Sequence, residues 1–337
     1  MTILVTGGAG YIGSHVCVRL LEAAHDVLIL DNFSNCRRDV VDRIAAIAGR
    51  MPRLRDVDVR SRDGLAQALD GEKLEGVIHL AGLKAVADSV RAPLAYFHSN
   101  VTGTINVRDA VGACPFVFSS SATVYGAPAQ CPVTEQTITQ PTNPYGFTKL
   151  AGEQMLRFAS MADGGSPLTI LRYFNPAGAH GSGLIGDDPL GVPQNLMPMI
   201  ERVAVGDSRE LVIHGIDYPT RDGTAVRDYI HVEDLADAHI RALELQSSAD
   251  PVQTFNLGSE RGHTVLEVVN AFERATGNAV PWRAGPRRDG DVAELWAHGN
   301  AARSVLGWKP TRSLAQICQD SLRWRRHWSD HLQLVAA

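Results

Sequence analysis

Three groups of residues in this chain could do chemistry together. A hydroxyl-rich run, Ser119-Ser120-Ser121-Ala122-Thr123, follows the apolar Phe116-Val117-Phe118; Tyr145 and Lys149 stand four positions apart; and Gly7, Gly10 and Gly13 punctuate the start of the chain. In Asn143-Pro144-Tyr145-Gly146-Phe147-Thr148-Lys149 the asparagine reads as a helix N-cap and the proline as the first helical residue, which puts the tyrosine and the lysine one turn apart on one face. A free tyrosine titrates near pH ~10 and is a poor base at neutrality. A neighbouring ammonium favours the phenolate, and two nearby positive charges in a partly dry site could supply the ~4 kcal/mol that a three-unit drop requires. Ser121, at the end of an apolar strand, can bridge a substrate hydroxyl and the phenol oxygen. This set suits removal of a proton from an alcohol. A surface tyrosine-lysine pair on a helix is common, so the motif needs its context.

The context begins with Gly7-Gly8-Ala9-Gly10-Tyr11-Ile12-Gly13, which runs from a short apolar stretch straight into a helical pattern. Glycines at that spacing allow a tight turn and the close approach of a pyrophosphate to a helix N-terminus. Asp31 ends the second apolar run, where a carboxylate can accept from both hydroxyls of an adenosine ribose and repel a 2′-phosphate. NAD is therefore the expected cofactor. Arg37 and Arg38, a few residues on, argue for NADP, although arginines at the start of a helix usually face water. With a nicotinamide present, proton abstraction from an alcohol becomes coupled to hydride transfer.

The elements that must hold these residues follow from the apolar patterning. Strand-like runs at Ile3-Thr6, Val27-Leu30, Arg55-Val59, Gly76-Leu80, Phe116-Ser119 and Leu168-Arg172 alternate with amphipathic stretches such as Tyr11-Ala23 and Val40-Ala48. That alternation predicts an α/β fold with a doubly wound parallel sheet of the Rossmann kind over residues 1–173, carrying the serine, tyrosine and lysine. From Phe174 to Pro193 the chain turns Gly- and Pro-rich, and residues 174–337 are expected to form mainly a smaller α/β substrate-binding lobe, with some chain returning to the first domain. Ser313-Trp328, after Lys309-Pro310, reads as a packing helix. With 337 residues, 45% of them hydrophobic, and a net charge of -5, the chain reads as globular, with no basic excess for nucleic acid and no membrane span. The apolar start is read as a first strand of a cytoplasmic protein, and the five scattered cysteines suggest neither a disulfide framework nor a thiolate metal site.

At this point the sequence resembles the extended short-chain dehydrogenase/reductase family and, within it, the bacterial UDP-glucose 4-epimerase group, over nearly the whole chain. The shared stretches are Gly7-Gly13 with Tyr11-Ile12, Leu30-Asp31-Asn32, His79-Leu80-Ala81-Gly82-Leu83-Lys84-Ala85-Val86, Ser119-Gly126, Arg172-Tyr173-Phe174-Asn175-Pro176, Asn195-Leu196-Met197-Pro198, Arg227-Asp228-Tyr229-Ile230-His231 and Pro286-Arg287-Arg288-Asp289-Gly290-Asp291. The resemblance implies Tyr145 as base, assisted by Ser121 and Thr123, with Lys149 holding the nicotinamide ribose. It implies that Asp31, Asn32 and Asn35 hold the adenosine, Asp58 and Val59 the adenine, and Lys84 the phosphates, with Gly7, Gly10, Tyr11, Ile12, Gly13, Leu80, Ala81, Gly82, Ser119 and Tyr173 also at the cofactor. Asn175, Arg227 and Arg288 are implied at the UDP phosphates, where guanidinium forks match phosphate oxygens. Asn195, Leu196, Tyr229 and Asp291 are implied around the uridine and sugar, and Leu295 beside the sugar C2 substituent.

The implied reaction is reversible C4 epimerisation of UDP-galactose and UDP-glucose through a 4-keto sugar, in a homodimer formed by the helix of Tyr145 and the one near Asn100-Val111. Leu80, Ser99 and His214 depart from the family pattern and bear on binding strength. Leucine at 295 is intermediate between the tyrosine that excludes UDP-N-acetylhexosamines and the small residues that admit them. Other nucleotide-sugar epimerases, a 4,6-dehydratase, a net dehydrogenase and a non-catalytic NAD-binding regulator are the rival readings; against a dehydratase, Ala122-Thr123 stands where that family has an Asp-Glu pair. His231, Glu233, Asp234, Asp237 and His239 resemble metal ligands when written together, but a helix over Val232-Ala242 would point them in several directions, so no metal is expected.

Overall fold

The strands form where apolar and β-branched runs can be buried from both sides. The computed structural model describes residues 2–191, 193–245, 250–288 and 290–336; Asp289 of the Pro286-Asp291 run lies outside them. The strands, in chain order, are β1 (Thr2–Thr6), β2 (Asp26–Asp31), β3 (Arg53–Asp56), β4 (Leu74–His79), β5 (Phe116–Ser121), β6 (Leu168–Tyr173), β7 (Asn175–Ala177), β8 (Leu211–His214), β9 (Val226–His231), β10 (Val252–Leu257), β11 (Gly262–Thr264), β12 (Trp282–Gly285) and β13 (Glu294–Leu295). Seven of them make one parallel sheet in the order β10-β6-β5-β4-β1-β2-β3. Its centre is fully buried: Leu4, Val5, Leu28, Ile29, Val77 and Ile78 have no exposed surface. This is the doubly wound α/β architecture, and the strand order reverses between β1 and β4, so a crevice opens at the carboxyl ends of those strands. Gly7 follows β1, Leu80 follows β4 and Ser121 ends β5 beside it.

Two elements differ from the sequence expectation. The third strand, expected at Arg55-Val59, pairs with β2 only from Arg53 to Asp56. It is a short, polar edge strand without alternation, and the apolar Val57 and Val59 that suggested a strand pack into the core after pairing has ended. The last helix begins at Leu314, as expected, with Ser313 Oγ accepting from the Gln316 N–H at 3.2 Å, but continues to Ala336.

A second, smaller sheet builds the other wall. β9 pairs with β11 on one side, while β13 and β7 share its other edge. Its register sets Asn175 opposite Tyr229 and Leu295 opposite Arg227. β8 and β12 pair separately.

The helix Pro144–Ala162 is held on the main sheet by a buried ion pair. Glu153, two turns beyond Tyr145, receives Arg172 of β6 in a fork, Nη2 to Oε2 at 2.7 Å and Nε to Oε1 at 2.9 Å, with side-chain exposures of 0% and 6%. Ser120 donates to the same carboxylate, and Arg172 also donates to Tyr125 Oη at 2.9 Å, whose own proton goes to Asn256 Oδ1. Every charge is thus paired and hydrogen-bonded, which is the condition for tolerating charges in an interior. Glu153→Ala leaves the guanidinium buried and unpaired, and is expected to lower unfolding stability by about 3–5 kcal/mol. Urea unfolding measures this; a loss below about 1 kcal/mol would show that water or a neighbouring group takes over the pairing.

Candidate active site

Asn143 caps the helix as expected, its Oδ1 accepting from the Gly146 N–H at 2.9 Å with Pro144 in the first turn. The cap fixes where the helix starts and therefore where Tyr145 and Lys149 point. The Lys149 ammonium lies 5.9 Å from the Tyr145 ring centroid and 5.3 Å from that of Phe118, and donates to the Ser119 carbonyl at 2.7 Å. Ser121 Oγ accepts from Thr123 N at 3.2 Å and from Thr123 Oγ1 at 3.0 Å. With both acceptor positions filled, the Ser121 proton is left to donate, and Ser121 favours the ionised form of the Tyr145 phenol. Thr123 thereby orients the serine, a role its position two residues on allows.

The phenolate is expected beside two positive charges, Lys149 and a bound nicotinamide. In the protein alone burial raises the Tyr145 phenol, and Ser121 opposes that rise. Burial also costs the lysine, whose pKa falls to about 8 against the favourable charge of Glu153. The ammonium is directed at a backbone carbonyl, so its help to the phenolate is smaller than the i, i+4 spacing suggested.

The cofactor crevice is shaped by close approach. Gly7 has φ +71°, and a Cβ there would sit 2.7 Å from Ala81 N; a Cβ at Gly13 would sit 2.1 Å from Gly7 O. Only glycine lets the loop fold this tightly against Leu80-Ala81-Gly82. The helix Tyr11–Glu22 that follows has Gly10 at its N-cap and no side-chain cap, leaving the first-turn N–H groups to an anion. Asp31 Oδ2 accepts from Ala9 N at 3.0 Å, and Oδ1 accepts from Phe33 N at 2.9 Å and from the Cys36 thiol at 3.6 Å. The carboxylate thus braces the glycine loop, and for two ribose hydroxyls to reach it the weak thiol contact must give way. Burial raises its pKa against those backbone hydrogen bonds. Asn32 donates to Asp58 at 3.0 Å, joining the two residues expected at the adenosine; Asp58 is held at about 2, chiefly by Arg60. Val59 is core, Asn35 is exposed, and the Tyr173 hydroxyl is taken by His239 Nε2 at 2.5 Å. Arg38 is bound to Asp56, and Arg37 to Asp188 at 3.3 Å, so neither of the arginines that favoured NADP is uncommitted. These residues fit a dinucleotide with an unsubstituted adenosine ribose.

On the opposite wall, the β7–β9–β13 register gathers Asn175, Tyr229, Arg227 and Leu295, and Arg227 is paired with Asp291. Arg288 donates to the Gln194 carbonyl at 3.2 Å, next to Asn195, the N-cap of the helix Leu196–Ala204. Leu295 is buried, 8% exposed, in a cluster with Ala122, Val124, Tyr125 and Phe174, directly behind the serine-threonine segment. Of the three departures, Leu80 packs on the core, His214 shares a hydrogen bond with the Pro286 carbonyl at 3.1 Å, and Ser99 is half-buried in a π-helical turn, Phe97–Thr102. The metal-like residues are taken up by other side chains: His231 caps its own helix and meets Asp320, Glu233, Asp234 and Asp237 share Arg312, Asp237 also takes Arg19, and His239 takes Tyr173.

Two positions escaped the sequence reading. Asn100 is buried and holds the cofactor loop, accepting from Leu83 N at 2.8 Å and donating to Leu83 O at 3.0 Å and to Thr148 Oγ1 at 3.1 Å. It ties the loop to the helix of Tyr145, and a polar residue inside an apolar helix face was its one visible sign. Glu153 could have been found from its spacing, since Tyr145, Lys149 and Glu153 recur every four residues on one face.

A dinucleotide crevice at a topological switch point, with serine, tyrosine and lysine converging beside it, defines an enzyme of the short-chain dehydrogenase/reductase class. Residues 3–258 match the NAD dependent epimerase/dehydratase family. The chain is 48% identical over 328 residues to UDP-glucose 4-epimerase of Bacillus subtilis, covering 96% of this chain and 97% of that protein. Its structure is similar to that of UDP-glucose-4-epimerase from Stenotrophomonas maltophila with bound NAD and formylated UDP-arabinopyranose, with a TM-score of 0.95, 46% identity, and 98% and 99% of the two chains covered. It is also similar to the Bifidobacterium longum UDP-glucose 4-epimerase in complex with NAD+ and UDP, at a TM-score of 0.94, 42% identity and coverage of 97% and 98%. The chain belongs to the NAD dependent epimerase/dehydratase family.

Proposed function

We propose that this enzyme interconverts UDP-galactose and UDP-glucose by inverting C4 of the sugar, with NAD bound throughout. The observation that carries this reading is the convergence of Ser121, at the end of β5, with Tyr145 and Lys149, one turn apart on the helix capped by Asn143, whose lysine donates to the Ser119 carbonyl at 2.7 Å. Bound NAD supplies the hydride acceptor and a positively charged ring. Tyr145 takes the proton of the 4-hydroxyl, Ser121 donates to the phenol oxygen and to the sugar oxygen in turn, and Thr123 holds the serine. Lys149 keeps positive potential at the tyrosine and supplies donors for the nicotinamide ribose. Asn175, Arg227 and Arg288 grip the diphosphate, while the hexose is held loosely enough to turn its other face before the hydride and proton return. Residues 1–173, with β10 added, hold the cofactor, and residues 174–337 hold mainly the nucleotide sugar.

A second copy of the chain completes the assembly. Phe147, Phe158 and Met161 are 52%, 69% and 70% exposed along one face of the helix that carries Tyr145, and Leu94 and Ile105 on neighbouring helices are also exposed. An apolar face of this kind suits a two-fold helical contact. Sedimentation should give twice the chain mass, and a monomer at micromolar concentration removes this assignment. All five cysteines are free, which suits the reducing cytoplasm.

With UDP-galactose as substrate and NAD bound, the wild-type protein should form UDP-glucose, and Tyr145→Phe should slow that conversion by about 10²–10⁴-fold while UDP and NAD still bind. A variant within a few-fold of wild type would take the base away from Tyr145.

Leu295 bears on the sugar's C2 substituent. Its burial behind Ala122 leaves a leucine-sized filling where an acetamido group would press, and overfilling such a site costs about 1–3 kcal/mol. UDP-N-acetylgalactosamine should therefore react about ten- to a hundredfold less efficiently than UDP-galactose. Leu295→Gly should narrow that ratio of kcat/KM. Equal loss of both activities would instead make Leu295 a packing residue alone.

A further inference from the structure

One carboxylate joins the two nucleotide sites. Asp187, whose side chain is only 8% exposed, accepts from Lys84 Nζ through Oδ1 at 3.2 Å and from Asn195 Nδ2 through Oδ2 at 3.4 Å. Lys84 belongs to the loop after β4, and its ammonium also lies 5.8 Å from the ring of Tyr11 on the first turn after the glycines. Asn195 is the N-cap of the helix Leu196–Ala204 and makes no side-chain cap hydrogen bond of its own, so its amide is turned to Asp187 instead. The same short segment is attached at further points: Asp188 to Arg37 at 3.3 Å, and Gln194 to Asp88 through its amide and to Arg288 through its carbonyl. Its described residues therefore touch groups assigned above to the cofactor and groups assigned to the UDP-sugar.

We propose that Asp187 is a positioning residue that couples the two sites, so that occupation of either by its nucleotide strengthens binding at the other. This rests on the functional reading above, from which the roles of Lys84 and Asn195 are taken. A lysine ammonium has three donors on a flexible stem, and one of them held by a buried carboxylate leaves the other two directed. The second oxygen does the same for the Asn195 amide. Whichever nucleotide binds first, at Lys84 or at Asn195, fixes the Asp187 carboxylate between them, and the second finds its own donor already held, which is positive cooperativity. The negative charge of Asp187 is felt on both sides: it contributes, after burial, to raising the Tyr11 phenol and to raising the Glu201 carboxyl to about 8 within the Asn195-capped helix. Asparagine at 187 keeps the shape but cannot accept from both donors at full charge.

The test is NAD binding to stripped protein with and without saturating UDP, alongside steady-state kinetics of the NAD-loaded enzyme. Wild type should bind NAD at least about fivefold more tightly with UDP present, and UDP more tightly by the same factor with NAD present. Asp187→Asn should bring that factor to about one and raise KM for UDP-galactose, with kcat at saturation changed less than about threefold; Asp187→Glu should keep most of the coupling. A wild-type factor of one overturns the proposal whatever the variants do, as does an Asp187→Asn protein with undiminished coupling or with an equal loss of kcat and thermal stability. A wild-type protein that binds neither UDP nor NAD overturns the functional reading itself, and with it the coupling.

Discussion

The fork between Arg172 and Glu153 is the constraint on which the reactive geometry rests. Tyr145 and Lys149 ride on a helix, Ser121 on a strand, and nothing in either element alone fixes their separation. Glu153 meets both, receiving Arg172 from β6 and Ser120, the neighbour of Ser121, from β5. A buried ion pair gains little net stability over apolar packing, because desolvation offsets most of the attraction. Its worth here is geometric: two parallel hydrogen bonds define the register of helix on sheet far more sharply than an aliphatic contact would. The network continues through Tyr125 to Asn256 on β10, so the strand that returns from the second half of the chain is locked into the same lattice.

From that anchor, the site follows by short steps. The cap at Asn143 sets the helix start, the carbonyl of Ser119 receives the lysine, and Thr123 fills the acceptor positions of Ser121 so that its proton is free to donate. Asn100 ties the loop after β4 to the same helix through Thr148. The second wall is organised differently, by strand register: once β7 and β13 both pair with β9, Asn175, Tyr229, Arg227 and Leu295 are brought together although they come from three distant stretches.

What could be read from the sequence divides along physical lines. The parallel sheet was legible because its central strands are buried on both faces and appear as continuous apolar runs, and the glycine loop because only glycine tolerates such approaches. The polar edge strand β3 was misplaced by two residues because an edge needs no apolar run. Helical spacing gives the proximity of Tyr145 and Lys149 but neither the burial that raises the phenol in the protein alone nor the aim of the ammonium at a carbonyl. Asp187 was invisible, and Asn100 nearly so, for a related reason. Each acts by joining segments far apart in the chain, and pairings of that range carry no local signature. The gathering of Arg227, Leu295 and Tyr229 was reached by family resemblance alone, because strand order in the smaller sheet is not encoded in any one stretch.

Internal return of a single hydride is the central claim, and the fate of an isotope at C4 tests it most directly. UDP-galactose carrying deuterium at C4 should be converted by the NAD-loaded enzyme in ordinary water to UDP-glucose that keeps the deuterium at C4, with no net accumulation of reduced cofactor. Loss of the label to solvent, or build-up of reduced cofactor in step with product, would mean that the hydride leaves the site and that the chain is not an epimerase working through a retained cofactor.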